Sequence, residues 1–247
     1  MGWGDDVVFS TAKVLSNEPA AEGMRSITVE AGDDILGAYT IPGQFVQIKE
    51  KEDTKAGFFA IASSPGATPG QCELLIKLSE GSDWAPGNQW LCGSKAGETL
   101  IMSPAMGSGF KMEDNFSETG ANDFPVQNVL LFAAGSGISP IRSAIESGAL
   151  AGKDCTLYYG ARDTTFMAYM EKFDEWEAKG VKVVPVMSKA DGWDGRTGYV
   201  QAALKEDGVK LARNTGALMC GMKGMAEEVK EALVEAGVDE GRVLTNF

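Results

Sequence analysis

The sequence predicts two successive domains, an antiparallel six-stranded β-barrel followed by a doubly wound parallel α/β domain. Three observations predict this fold. Up to about residue 103, short apolar alternations end at glycine, proline or aspartate, as strands do. Residues 104–127 are rich in glycine, polar and acidic residues, which is typical of a connection. Beyond them, continuous apolar segments alternate with helix-period segments, the pattern of a parallel sheet with crossover helices.

In the first domain, strands are predicted over 7–14, 27–29, 45–48, 58–62, 74–78 and 100–102. Turns containing Pro42, Gly43, Pro65 and Gly66 separate some of them. Such a domain closes into an all-β barrel or sandwich, and a six-stranded barrel is the arrangement that we expect. We expect this domain to cover residues 1–120.

In the second domain, strands are predicted over 129–133, 156–159, 181–187, 217–219 and 242–247. Helix-period segments over 141–150, 166–178, 199–206 and 225–236 alternate with them. Helices on both faces of a parallel sheet follow from right-handed crossovers. We expect this domain to cover residues 121–247.

The composition excludes several kinds of chemistry. The 247 residues include no histidine, so a histidine-dependent nucleophile, zinc site or haem ligand is excluded. Lysine and arginine total 22 against 35 acids, a formal charge of −13. Residues 1–127 carry −10 of this charge and residues 128–247 carry −3. The excess of acid disfavours nucleic acid as a partner, and the chain has no apolar segment of about 18 residues that predicts a membrane span.

A glycine turn in the second domain is the sharpest local motif. The sequence VLLFAAGSGISP, residues 129–140, joins a strand to a helix through glycines. Such a turn brings backbone N–H groups at a helix N-terminus close to a pyrophosphate. The segment that would bind it comprises Gly135, Ser136, Gly137, Ile138, Ser139 and Pro140. A tight turn without any ligand is the alternative.

Other candidate residues follow the later strands of this domain. Arg162 follows the second strand, where an arginine binds the 2′-phosphate of NADP, although the adjacent Asp163 leaves NAD as an alternative. Ser188 follows the third strand as a further donor. The fourth strand leads into a sequence whose candidate residues are Cys220, Gly221 and Met225. Cys220 suits the lining of a flat ring, and a buried structural cysteine is the alternative.

Taken together, these motifs resemble the ferredoxin-NADP(H) reductase superfamily, and in particular its plant plastid reductase-like members. The matching segments include PGQFVQIKE, FFAIASSP, CELLIKLSEGS, LLFAAGSGISPIRSAIESG, LYYGARD, CGMKGMAEEVKEAL and RVLTNF, and they span nearly the whole chain. The resemblance implies a flavin-binding barrel, an NADP(H)-binding domain and FAD held between them. It further implies that Cys220 and the terminal aromatic Phe247 line the nicotinamide and flavin rings.

The flavin motif of that superfamily, Arg-x-Tyr-Ser, is altered in this chain. Gly57 stands at the arginine position, Phe59 at the tyrosine position and Ala60 at the serine position. We expect Phe59 to stack on the flavin, since stacking needs only a ring. The lost arginine leaves a pyrophosphate contact that glycine cannot supply. The remaining predicted FAD contacts are the main chain of Ala60, Ile61, Ala62 and Ser63, the strand residues Leu75, Ile76 and Lys77, and a turn at Gly81 and Ser82.

These features predict an NADPH-dependent flavoprotein oxidoreductase that uses FAD and NADP(H) and needs no metal. The acidic first half disfavours ferredoxin, itself acidic, so the acceptor is expected to be a different one. Two alternatives stay open: an NADH-linked reductase, and a flavin-free nucleotide-binding or assembly subunit. The resemblance alone suggests the plastid stroma as the location.

Overall fold

A computed structural model describes residues 7–79, 88–118, 124–189 and 191–246. Two six-stranded sheets organise them, one antiparallel and one parallel. The expected boundary between residues 120 and 121 lies outside the described residues, as do Gly81, Ser82 and Phe247. Among the described residues, no helix combines the length and apolar character needed to span a membrane.

The first sheet has the strand order β4-β3-β6-β1-β2-β5. Its strands are β1 (Ser10–Ala21), β2 (Met24–Glu30), β3 (Phe45–Lys49), β4 (Gly57–Ala60), β5 (Gln71–Lys77) and β6 (Thr99–Met102). Short helices α1 (Asp33–Leu36) and α2 (Asn88–Gly93) lie between them. The six predicted strands are present, with boundaries shifted by a few residues.

The prediction of a closed barrel is wrong. The edge strands β4 and β5 carry no continuous ladder between them, and an isolated bridge joins Ile61 to Leu74. The reason lies in the length of β4, because its four residues end before they can pair along the seven residues of β5. The result is an open sheet whose two edges are joined by this bridge and by the adjacent hydrogen bond from the N–H of Ala62 to the carbonyl oxygen of Glu73.

The second sheet is parallel, with the order β10-β9-β8-β7-β11-β12. Its strands are β7 (Asn128–Ala134), β8 (Asp154–Ala161), β9 (Val181–Met187), β10 (Arg196–Thr197), β11 (Thr215–Cys220) and β12 (Val243–Thr245). The helices of this half are α4 (Ile138–Glu146), α5 (Phe173–Ala178), α6 (Val200–Asp207) and α7 (Lys223–Glu235).

Helices cover both faces of this sheet, as the doubly wound prediction requires. Ile141 of α4 and Trp176 of α5 belong to one buried cluster with the strand residue Leu157. Leu204 of α6 and Val229 of α7 belong to the cluster on the opposite face. One predicted helix is wrong in detail, because 166–178 divides into short 3₁₀ turns followed by α5.

The predicted connection, residues 104–127, is more ordered than its composition suggests. It includes α3 (Met112–Phe116), and Phe110, Met112 and Phe116 are buried in the same cluster as the second sheet. Arg242, which is 1% exposed, donates to the carbonyl oxygens of Phe124 and Arg213. The connection is therefore tied into the core.

Strand β4 shows which of two adjacent phenylalanines belongs to the core. Phe59 is 6% exposed and pairs with the buried Val46, whereas Phe58 is 42% exposed. Because side chains alternate along a strand, the two rings lie on opposite faces of the sheet. The burial of Phe59 leaves little of its ring for the expected stacking on a flavin, and Phe58 is the aromatic residue on the outer face.

This assignment predicts different stability losses for two matched variants. Phe59→Ala should lower the free energy of unfolding by about 3–5 kcal/mol, since it opens a cavity in the core. Phe58→Ala should cost only about 1 kcal/mol because its ring is partly in water. Urea unfolding monitored by circular dichroism measures both, and equal losses would contradict the assignment.

Candidate functional site

The glycine turn lies at the edge where the parallel strands end. β7 ends at Ala134, a 3₁₀ turn covers Gly135–Gly137, and α4 begins at Ile138. Gly135 has a φ of +54°, and a Cβ added to it would meet no atom within 4 Å. The backbone is therefore open above this glycine at the start of α4, which is the environment that a pyrophosphate group occupies in dinucleotide sites.

The second glycine of the turn touches the end of another strand. A Cβ on Gly137 would lie 2.3 Å from the carbonyl oxygen of Cys220 and 3.0 Å from Cα of Gly221. Any larger residue would push the turn away from β11. Because residue 137 is glycine, the Gly135–Gly137 turn can contact the Cys220–Gly221 segment at the sheet edge, although the two are more than 80 residues apart in sequence.

The rest of the predicted pyrophosphate segment supports the turn from inside. Ile138 and Ser139 are buried, and the Ser139 hydroxyl donates to the carbonyl oxygen of Ser136 at 2.9 Å. Pro140 is buried in the first turn of α4. The turn itself, Gly135–Gly137, thus carries the accessible part of the motif, and the following three residues hold its shape.

Cys220 and its neighbours fit a structural lining better than a reactive one. Burial raises the pKa of the Cys220 thiol to about 12, which favours the neutral thiol over the reactive thiolate. Met225, in the first turn of α7, is 4% exposed and packs in the core between that helix and the sheet. A Cβ on Gly221 would lie 2.9 Å from the Met225 Cε atom, so the Met225 side chain packs directly against the backbone of Gly221.

Arg162 lies at the same edge, beside the end of the third strand. Its side chain is 54% exposed, and its guanidinium carbon lies 5.0 Å from the centre of the Phe166 ring. The backbone N–H groups of Ser188 and Lys189 donate to the carbonyl oxygens of Ala161 and Arg162, at 3.0 and 2.8 Å. Two cationic residues and an exposed serine therefore lie side by side.

The acid next to Arg162 is already engaged. Asp163 Oδ1 accepts from the backbone N–H of Thr165 at 3.0 Å and from its hydroxyl at 2.6 Å. Asp163 Oδ2 lies 3.8 Å from Nε of Arg162. Its hydrogen bonds with Thr165 lower the pKa of this carboxyl, outweighing a smaller desolvation effect. The Oδ1 atom of Asp163 therefore accepts hydrogen bonds within its own turn, from Thr165.

On the first sheet, alternation divides the predicted flavin residues into two groups. Phe59, Ile61 and Ile76 lie in the core of the sheet. Ala62 and Leu75, in contrast, belong to the buried cluster that includes α4 of the second domain. Lys77, two residues after Leu75 on the same face of β5, is exposed at the end of that strand. The outer face of β5, together with Ala62 just after β4, therefore meets the second domain.

Part of the predicted main-chain contact surface is occupied by the protein itself. The N–H of Ile61 donates to the carbonyl oxygen of Gln44 at 3.2 Å, and that of Ala62 donates to Glu73 at 2.7 Å. Ser63 Oγ accepts from the backbone N–H of Glu73 at 2.9 Å. These groups are not available to a ligand, so the outer side chains Phe58 and Ala60 provide the larger part of the exposed surface here.

Several residues of this interface were missed by the sequence predictions. Arg142 and Ser143 of α4 are 5% and 0% exposed, and their side chains contact Glu73 and Tyr39 of the first domain. The sequence does contain an indication that Arg142 has a buried partner, because this arginine interrupts the apolar pattern of the helix between Ile141 and Ile145. The sequence did not reveal its partner, which lies 69 positions earlier in the chain.

Comparisons with known proteins agree with this geometry. The family model described as oxidoreductase NAD-binding domain matches residues 131–231, from the glycine-turn strand through most of α7. A ferredoxin NADP⁺ reductase from Neisseria gonorrhoeae, solved with bound FAD and NADP, superimposes with a TM-score of 0.80 over 96% of this chain and 97% of its own, at 16% identity. The chain thus has the fold of a two-domain flavin and nucleotide reductase.

The chain belongs to the ferredoxin-NADP reductase-like superfamily, whose members bind FAD and NAD(P)H and act as NAD(P)H-dependent flavin oxidoreductases. It is 35% identical to the fruit protein pKIWI502 of Actinidia deliciosa over 91% of this chain and 72% of that protein. It is also 29% identical to an NAD(P)H-flavin reductase of Aliivibrio fischeri, over 69% of this chain and 70% of that protein.

Proposed function

We propose that this chain is an NADPH-dependent flavoprotein oxidoreductase whose electron acceptor is not ferredoxin. One observation carries the proposal. The open glycine turn touches Cys220 at the edge of the second sheet, and the helix that starts there contacts Glu73 on the outer face of β5. A dinucleotide on the turn and a flavin on that face would be neighbours.

The residues present fit both cofactors. Open space above Gly135 and the free approach to its backbone fit the pyrophosphate of a nicotinamide dinucleotide. Phe58, 42% exposed and 5.8 Å from the Phe45 ring, offers an aromatic surface to the flavin, with Lys77 as a cation further along the same face. When bound, FAD supplies an acceptor for hydride from nicotinamide and a donor of electrons to the next acceptor.

The protein contributes orientation rather than acid-base chemistry. The turn Gly135–Gly137 holds the dinucleotide by its phosphates, and Cys220 with Gly221 lies beside it at the end of β11. The protonated thiol of Cys220 adds no charge to this surface. Hydride transfer depends on the approach distance of two rings, so holding both is the principal catalytic task.

The decisive experiment for this function is spectroscopic. The purified protein, supplied with FAD and gel-filtered, should retain the flavin absorbance bands, release FAD on denaturation and lose the bands when NADPH is added without oxygen. Phe58→Ala should weaken FAD binding about tenfold, since base and ring stacking contributes about 1–3 kcal/mol, whereas Phe58→Tyr retains the ring and should bind normally.

A flavin-free, nucleotide-binding subunit is the second candidate, favoured by Gly57 in place of the phosphate-binding arginine. Gly57 is buried and offers no side chain. Under this candidate the protein would show no flavin bands under any loading condition, yet would still bind NADP⁺ in a calorimetric titration. That pair of results would contradict the flavoprotein proposal.

The preference for NADPH is assigned to Arg162, with Ser188 and Lys189 beside it. Arg162→Ala should lower kcat/KM for NADPH about 10- to 100-fold, because a charge-assisted hydrogen bond to the 2′-phosphate is lost. It should change kcat/KM for NADH much less. Arg213→Ala is the matched control, since Arg213 precedes β11 at the opposite end of the sheet. An unchanged ratio of the two kcat/KM values would refute the role of Arg162.

A small, uncharged, quinone-like compound is proposed as the acceptor. The charge of −10 in residues 1–127 supports this choice, because an acidic iron-sulfur protein would be repelled. Turnover with a neutral quinone should be independent of ionic strength, and turnover with ferredoxin should be slow and rise as salt screens the repulsion. Fast ferredoxin reduction that falls with added salt would overturn the assignment.

A further inference from the structure

Two adjacent residues of α4 connect the nucleotide turn to the first sheet. Nη1 of Arg142 lies 2.6 Å from Oε1 of Glu73 on β5, and their side chains are 6% and 20% exposed. The next residue, Ser143, has its hydroxyl oxygen 2.6 Å from the hydroxyl oxygen of Tyr39. Both contacts start within two turns of Gly137, so they join the helix that the nucleotide turn begins to the other domain.

The Glu73 carboxylate is the centre of the larger contact. Its Oε1 atom also accepts from the hydroxyls of Ser26 at 2.6 Å and Tyr169 at 2.9 Å. The guanidinium carbon of Arg142 lies 4.4 Å from the centre of the Tyr169 ring. Burial acts to raise the pKa of the Glu73 carboxyl, but Arg142 and the hydroxyls outweigh it and hold the pKa below its usual value.

The same two residues of the first domain also hold residues 62–63, which follow β4. The Glu73 backbone is hydrogen-bonded in both directions, accepting from Ala62 and donating to Ser63 Oγ. The Tyr39 hydroxyl donates to the carbonyl oxygen of Ser63 at 2.6 Å. Glu73 and Tyr39 thus contact residues 62–63 on one side and α4 on the other.

Stability alone does not account for this arrangement. Removing a buried ion pair together with both of its charges, in favour of packed apolar side chains, is often neutral or stabilising. What an apolar interface lacks is a single allowed geometry, because apolar contacts are not directional. Hydrogen bonds and ion pairs of short, defined length fix how the two domains sit against each other.

We propose that Arg142, Ser143, Glu73 and Tyr39 form an interdomain clamp that sets the distance between the nucleotide turn and the flavin-facing strands. These are positioning residues: they touch neither reacting ring but fix the gap across which hydride passes. The inference rests on the proposed function, and it adds the residues that set the rate of hydride transfer from NADPH to the flavin.

The test separates positioning from folding and binding. In Glu73→Leu/Arg142→Met, which removes both charges, and in Tyr39→Phe, which removes one hydroxyl, the limiting rate of flavin reduction at saturating NADPH should fall about 10- to 100-fold, as expected for a displacement of about 1 Å. FAD content, the Kd for NADP⁺ and reduction by dithionite should stay at the wild-type values.

Tyr158→Phe is the matched control, because the Tyr158 hydroxyl donates to Asp207 within the second domain only, at 2.8 Å. Its limiting rate should equal that of the wild type. If the double variant fails to fold or to retain FAD, Tyr39→Phe and Ser143→Ala decide the question, since each removes a single hydroxyl group.

The outcomes are distinguishable. A wild-type protein whose bound FAD is not reduced by NADPH would remove the proposed function and the clamp with it. A wild-type protein that is reduced, together with folded, FAD-loaded variants that react at the wild-type limiting rate, would overturn the clamp alone. A fall in rate confined to weaker NADP⁺ binding, seen as a changed KM at constant limiting rate, would also overturn it.

Discussion

The arrangement of this molecule depends on α4 being covered on two sides. On one side it packs on the parallel sheet, and on the other it meets β5 and the residues after β4, so every residue from Ile138 to Ile145 is buried. A helix in this position must satisfy any polar side chain it carries, because an unpaired buried charge is strongly destabilising. The charge of Arg142 is paired with the carboxylates of Glu73 and Glu146, one from each domain. The ion pair therefore links the burial of the helix to the orientation of the domains.

The same helix explains why the ligand-binding features converge. Its N-terminus is the glycine turn, which lies against the end of β11 through Gly137. Its second turn contacts Glu73 of β5 and Tyr39. Because an α-helix is a stiff element of fixed rise per residue, the glycine turn and β5 are held at a set separation. A reaction that depends on the distance between two bound rings benefits from this rigidity.

The altered flavin motif has a structural counterpart in the strand that contains it. Gly57 and Phe59 face inward and Phe58 and Ala60 face outward. Gly57 is buried and pairs with Ile48 in the core of the first sheet. Glycine and phenylalanine at the inward positions suit that core, and the surface left for a flavin is aromatic and apolar rather than cationic.

The sequence by itself determined most of the strands, the order of the two sheets along the chain, the glycine turn and the superfamily, because periodicity, turn residues and local motifs act over short stretches of chain. It did not determine the open first sheet, since closure depends on how far β4 extends along a strand that is distant in sequence. Nor could it tell which of Phe58 and Phe59 faces outward, because two adjacent aromatic residues satisfy alternation in either register. The partner of Arg142 was decided only by tertiary structure. An arginine in an apolar helix indicates that a buried carboxylate must pair with it, but only the packing of the two domains places Glu73 beside it.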